Sequence, residues 1–336
     1  MRLHLARTAV CSCPGAGTVR VAGGAYRGGV VRLQVGALCV VVLLAGACSA
    51  DDEPVAAPSS AAVASPSATT AAPTPSPSPS PVPTAPPGPV TAQEPPPSPA
   101  DPAGLAAQVV QAERTIRSGT ASADDLAQAG RLQQAAYREL AARPQWQPAV
   151  LDAVPADLHG SVVAHTDAIR DLLKLTRAQP RLPSWRIVAP PPPEQLLAHY
   201  REAEQVFGVE WEYLASIHLV ESRMGRIRGT SPAGAQGPMQ FMPGTWEIYG
   251  EGGDIQDPRD AVLAAGRYLQ ASGAPGNMRK ALFAYNRSDA YVRAITVHAE
   301  QMQADPRTYD GYWHWQVYYR TVEGDRLLPV GYDGTA

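Results

Sequence analysis

Trp211-Glu212-Tyr213-Leu214-Ala215-Ser216-Ile217-His218-Leu219-Val220-Glu221-Ser222-Arg223-Met224-Gly225 is the stretch on which the reading of this 336-residue chain turns. Its pattern predicts a helix from about Glu210 to Met224, stopped at Gly225, where a missing Cβ suits a left-handed helix end. Trp211, Leu214, His218 and Glu221 recur at spacings of 3, 4 and 3 and so share one face. A carboxylate on an apolar stripe is costly to ionise. Desolvation raises its pKa, and the negative end of the helix pushes in the same direction. A carboxylic acid kept protonated near neutral pH can protonate a leaving oxygen. Helical geometry leaves two other readings open: a buried Glu221 paired with Arg223 or Arg226, and a plainly exposed helix end.

Working outward, Glu194–Val206 reads as a preceding helix ended by Phe207-Gly208. Downstream come Ala233-Gly234-Ala235-Gln236-Gly237-Pro238-Met239-Gln240-Phe241-Met242-Pro243-Gly244-Thr245-Trp246 and then Ala284-Tyr285-Asn286. The Glu-Ser, Gly-x-Met-Gln-x-Met-Pro and Ala-Tyr-Asn series, in this order, resembles the lytic transglycosylases of the soluble lytic murein transglycosylase type, over roughly residues 195–300. After Asn286 the chain reads Arg287-Ser288-Asp289-Ala290-Tyr291 where many members have Asn-Ala-Gly. That variant and Met-Gln-Phe-Met-Pro look closer to membrane-bound lytic transglycosylase B-like members, and Tyr291 then shares work assigned to Tyr285.

The resemblance implies a mainly α, lysozyme-like catalytic domain with a glycan cleft. It implies Glu221 as the catalytic acid, with Ser222, Met239, Gln240, Tyr285 and Asn286 binding substrate, to which Phe241 is added on its residue chemistry. The implied substrate is the peptidoglycan strand, cleaved between N-acetylmuramic acid and N-acetylglucosamine to a 1,6-anhydro product, with no metal or cofactor. Residue chemistry fits this. Gly234, Gly237 and Pro238 allow a tight turn bringing backbone close to a sugar, and Gln240 can both donate to and accept from an acetamido group. Phe241 and Trp246 offer apolar faces for sugar rings, or equally plain core. Arg223, Arg226 and Arg228 follow Glu221 and either meet substrate carboxylates or form a solvated basic loop. Asp257-Pro258-Arg259-Asp260 reads as a helix start leading into 261–271. An enzymatic alternative is a hydrolysing, lysozyme-type muramidase with Asp254 or Asp257 as second carboxylate. The alternative of another class is a non-catalytic wall-binding lipoprotein.

The rest of the chain is organised around this segment. Of the 34 prolines, 17 fall between Asp51 and Ala103, a stretch with no aromatic residue, whereas 18 of the 22 aromatics lie from Glu194 onward. Residues 1–48 read as a signal segment: Arg27 and Arg32 precede the apolar run 36–47, too short to span a bilayer. It ends in Leu44-Ala45-Gly46-Ala47-Cys48, which resembles a bacterial lipobox and implies lipidation of Cys48, a membrane anchor and an extracytoplasmic, envelope location; an ordinary secretory signal is the alternative. Residues 49–103 read as a disordered Pro/Ser/Ala linker. Residues 104–188 read as a helical module, with helices over 104–117 and 122–142. A third carries the stripe Leu158, Val162, His165, Ile169 and Leu172, with Asp157 expected to cap it and His165 expected in the core. No chemistry is expected there. Pro190–Pro193 divides it from a 189–336 transglycosylase domain, which ends in a small β-hairpin around Gly324-Asp325. All four cysteines lie in the first 48 residues, so the folded part has no disulfide or thiol chemistry. Residues 49–336 carry 23 basic against 31 acidic side chains, which speaks against nucleic acid as a partner.

Overall fold

The computed structural model describes residues 90–334. The signal segment, Cys48 and linker residues 49–89 lie outside the described residues. Helices dominate, as expected: α1 (Pro102–Arg117), α2 (Ala123–Ala142), α3 (Gln147–Ala153) and α4 (His159–Leu175) come first. After the two-residue strand β1 (Arg186–Ile187) follow α5 (Pro193–Phe207), α6 (Trp211–Ser222) and β2 (Ile227–Arg228). Then come α7 (Pro243–Tyr249), α8 (Pro258–Ser272), α9 (Met278–Tyr285), α10 (Asp289–Ala304) and α11 (Thr308–Trp313). The hairpin strands β3 (Val317–Thr321) and β4 (Gly324–Leu328) close the order.

Local chemistry sets the ends. Asp101 accepts from the Gly104 amide at 2.8 Å and Pro102 occupies the first helical position of α1, where its missing N–H costs nothing. Asp257 caps α8 in the same way, accepting from the Arg259 and Asp260 amides. Gly208 ends α5 at φ +67°. The expected cap of α4 is not made. Pro155 is followed by a 3₁₀ turn over Ala156–Leu158, which moves the helix start to His159 and sends the Asp157 carboxylate to Arg114 at 2.7 Å. The hairpin turn also lies elsewhere: Thr321 pairs with Gly324, so Val322-Glu323 form the two-residue loop and Gly324, at φ +120°, opens β4.

The last part of the segment expected to be disordered is docked. Gln93 exchanges two backbone hydrogen bonds with Leu327 at 2.8 Å, extending the hairpin from its β4 side. Val90-Thr91-Ala92-Gln93 is a proline-free interval between Pro89 and Pro95, so its amides can donate to a neighbouring strand.

α6 is the central element. Its residues Trp211, Leu214, Ala215, Ser216, Ile217, His218 and Leu219 are all buried, so it is apolar all round rather than along one stripe. α10 packs on it, and α4 packs in turn on α10. Across Pro190–Pro193 the core is continuous: one cluster joins Leu105, Tyr137, Val162 and Ile169 to Leu214, Ile217, Ile295 and Tyr312. His165 is buried as expected, held between the Ser161 carbonyl and the Tyr312 hydroxyl at 2.7 Å each and stacked on Tyr137. Trp315 donates to Gln133 Oε1 at 3.0 Å, tying α2 to the segment after α11. Among the described residues no helix is long and apolar enough to cross a membrane.

Candidate active site

The last turn of α6 ends abruptly. Arg223, Met224 and Gly225 are all left-handed, at φ +54°, +59° and +81°, an arrangement that non-glycine residues adopt only at a cost. Ser222 is fully buried and holds this end in place. Its hydroxyl donates to the Pro238 carbonyl at 2.5 Å and accepts from the Gly225 amide at 3.0 Å. Ser222 therefore clasps the 231–243 loop to the helix end rather than lining a surface.

Glu221 is half-buried at this end. Tyr291, in the first turn of α10, donates its hydroxyl to Glu221 Oε1 at 2.7 Å. Burial pushes the Glu221 carboxyl up to about 7, with the Tyr291 hydrogen bond opposing the rise. Neither Arg223 nor Arg226 pairs with it. Arg226 is buried and donates to the Trp315 and Trp313 carbonyls at 3.0 and 2.6 Å, a structural brace, while Arg228 bonds the Gln256 carbonyl.

The three motifs converge. The Tyr285 ring lies parallel to that of Tyr291, centroids 6.5 Å apart, and its hydroxyl donates to the Met239 carbonyl at 2.7 Å. Ala-Tyr-Asn is thus joined to Gly-x-Met-Gln through Tyr285, and Gly-x-Met-Gln to Glu-Ser through Ser222. Not every expected binding residue offers a surface. Met239 is fully buried and Phe241 is 3% exposed, its ring edge-on to Trp246 and tilted against Tyr285. Both are core. Gln240 stands at φ +51° with its side-chain amide donating to the Gly237 carbonyl at 2.9 Å, and Asn286 is exposed just past α9. Gly237 is needed for a close approach, but not to a sugar: a Cβ there would lie 1.9 Å from the Ile255 carbonyl oxygen.

Glu221 opens into a cleft of about 400 Å³. One wall is the end of α6, with Val220 and Arg223, continued by Ile227 and Pro232. Facing it are Leu172 and Leu173 of α4, Thr176 just past its end, Trp185, and Tyr318, Tyr319 and Arg320 of β3. The second wall comes from segments in which the sequence showed no chemistry. A signal was present, since Leu175 falls off the apolar stripe of α4 and is exposed, and Trp185 is a large aromatic standing in a connecting segment. Asp254 accepts from the Gln256 amide and Asp257 caps α8, so both carboxylates serve local backbone and neither lines this cleft. Among the described residues no group of three or more His, Cys, Asp or Glu is arranged to hold a metal ion.

Residues 199–304, from α5 to the end of α10, match the family model described as Transglycosylase SLT domain, and the chain carries such a domain in the mainly helical, lysozyme-like fold. The chain is 28% identical over 148 residues to the membrane-bound lytic murein transglycosylase F of Thiobacillus denitrificans, covering 41% of this chain and 29% of the relative. It thus spans under a third of that relative's length. No solved structure matches the chain.

Proposed function

We propose that the protein is a peptidoglycan lytic transglycosylase with Glu221 as general acid and then general base. The observation that carries this reading is a carboxyl group at the cleft with its pKa raised to about 7 by burial, held by Tyr291. Such a group is populated in both protonation states near neutral pH, as a residue that first gives and then takes a proton requires.

Protonated Glu221 donates to the oxygen joining N-acetylmuramic acid to N-acetylglucosamine, and the bond from that oxygen to the muramyl C1 breaks. The substrate's own acetamido carbonyl stabilises the oxocarbenium-like centre. Glu221, now a carboxylate accepting from Tyr291, removes the proton of the muramyl C6 hydroxyl. The freed oxygen closes on C1 as a 1,6-anhydro ring, and Glu221 is again protonated. No water is consumed. A hydrolysing muramidase would draw on a second carboxylate, and the engagement of Asp254 and Asp257 in backbone hydrogen bonds argues against either serving. The lipobox-like end at Cys48 supports a lipid-anchored protein of the cell envelope, with the proline-rich segment as tether to the wall.

Product mass decides the reaction. Digestion of sacculi is expected to give anhydro-muropeptides and Glu221→Gln to abolish their release while still binding sacculi. Reducing-end hydrolysed products, or undiminished release by Glu221→Gln, would refute the assignment.

A further inference from the structure

The cleft has a charge character that the acid does not use. Arg138, Arg177, Arg223 and Arg320 all line the cleft, whereas Glu221 is its one carboxylate. Arg138 is neutralised by Asp325 and lies over the Tyr318 ring at 4.3 Å. The other three pair with no carboxylate among the described residues. Arg223 bonds the Leu219 carbonyl at 2.7 Å, and burial, with Arg138 nearby, pushes its guanidinium down to about 10. Arg320 is held at the rim by the Leu173 and Thr176 carbonyls at 3.3 and 3.4 Å, and Arg177 is exposed beside it.

Two features say what these charges face. They stand off from Glu221: among the described residues none of them makes an ion pair with its carboxylate, whose hydrogen bond comes from Tyr291. An anion held by them therefore sits beside the acid, not on it. Between them the surface is apolar, with Leu172, Leu173 and Ile227, and with Trp185 edge-on to Tyr319 at 5.4 Å. A bare sugar ring offers no charge to match this surface. A short peptide with apolar side chains and free carboxylates does. Arg223 is partly desolvated without an acidic partner, a cost that an arriving anion offsets, while the exposed Arg177 and Arg320 add charge-assisted hydrogen bonds at the rim.

We infer that the wall built by the end of α4, Trp185 and β3 is a subsite for the carboxylate-bearing peptide substituent of the glycan strand, with Arg177, Arg223 and Arg320 as its charge partners. The inference rests on the murein reading above. It makes segments outside the matched domain a determinant of which strands the cleft accepts.

Binding tests it in the full chain carrying Glu221→Gln, which holds ligand without turning it over. Three soluble ligands are compared by calorimetry: a disaccharide peptide with free carboxylates, the same compound with them converted to carboxamides, and the peptide-free disaccharide with its lactyl carboxylate likewise converted to a carboxamide. The free-carboxylate ligand is expected to bind about tenfold tighter than the carboxamide, equivalent to about 1.4 kcal/mol, with the gap narrowing at high salt. Arg177→Gln combined with Arg320→Gln is expected to close most of that gap while leaving the peptide-free ligand unaffected. Equal affinities for the carboxylate and carboxamide forms would overturn the inference, and so would a preference that survives both substitutions. The ligand comparison needs no variant beyond Glu221→Gln, so a misfolded arginine variant cannot hide the answer. Equal affinities alongside anhydro products would remove this subsite alone. A clear preference alongside hydrolysed products would remove the transglycosylase mechanism alone.

Discussion

Replacing Glu221 by Gln should stabilise the protein, and by an amount that depends on pH. The Glu221 carboxyl has its pKa raised from 4.5 to about 7, chiefly by burial. Between those values the native state holds a proton that the unfolded chain has released, so stability falls as pH rises through this window. Below pH 4.5 both states are protonated and the cost vanishes; above pH 7 it is complete. At 1.36 kcal/mol per pH unit the interval corresponds to about 3 kcal/mol. Glu221 is only half-buried, and solvent screening at its open side brings the expectation to about 2 kcal/mol. Glutamine has nearly the same shape, carries no charge, and its amide oxygen can still accept from Tyr291. Urea unfolding at pH 8 should therefore show Glu221→Gln more stable by about 2 kcal/mol, or about 4–8 °C in thermal melts, with the difference shrinking towards zero at pH 4. A variant that is destabilised, or stabilised equally at both pH values, would refute the claim that Glu221 is an ionisable group held against its solvation preference.

Tyr291→Phe removes the hydrogen bond that opposes the rise in Glu221's pKa. A hydrogen bond to a charged group is worth about 1.5–3 kcal/mol, so the pKa should climb by about 1–2 pH units and the alkaline limb of the pH–rate profile should move up with it. A limb that stays put or moves down would count against the pairing. Gly237→Ala combines a φ of +74° with a Cβ 1.9 Å from the Ile255 carbonyl oxygen. It should cost about 3 kcal/mol or more and lower the melting temperature, whereas Gly244→Ala, with open space around its Cβ, should cost at most about 1 kcal/mol.

Much of the helical architecture was legible because helix periodicity and end chemistry are local. The spans at 104–117 and 122–142 fall within a residue or two of α1 and α2, and Gly208 ends α5 at the expected place. Errors arose where a local cue had a nonlocal use. Asp157 has the right residue type for a cap but is taken by Arg114, from α1. Gly237 does mark a close backbone approach, but to Ile255 rather than to ligand. Met239 and Phe241 sit inside a motif of the right kind and are nonetheless core, because the turn around Gln240 directs them inward.

The sequence by itself determined that Glu221 stands at the end of an apolar helix, that three motifs follow in a definite order, and that the cysteines and most of the proline excess lie ahead of that helix. Each is a property of neighbours along the chain. Tertiary structure decided the rest. It gave Glu221 its hydrogen bond from Tyr291, its burial, and a pKa near 7. It also brought α4, Trp185 and β3 opposite that acid, although residues 172 and 320 flank it from far apart in sequence. Acidity and cleft shape depend on distances between remote segments, and those distances exist only once the continuous core has closed.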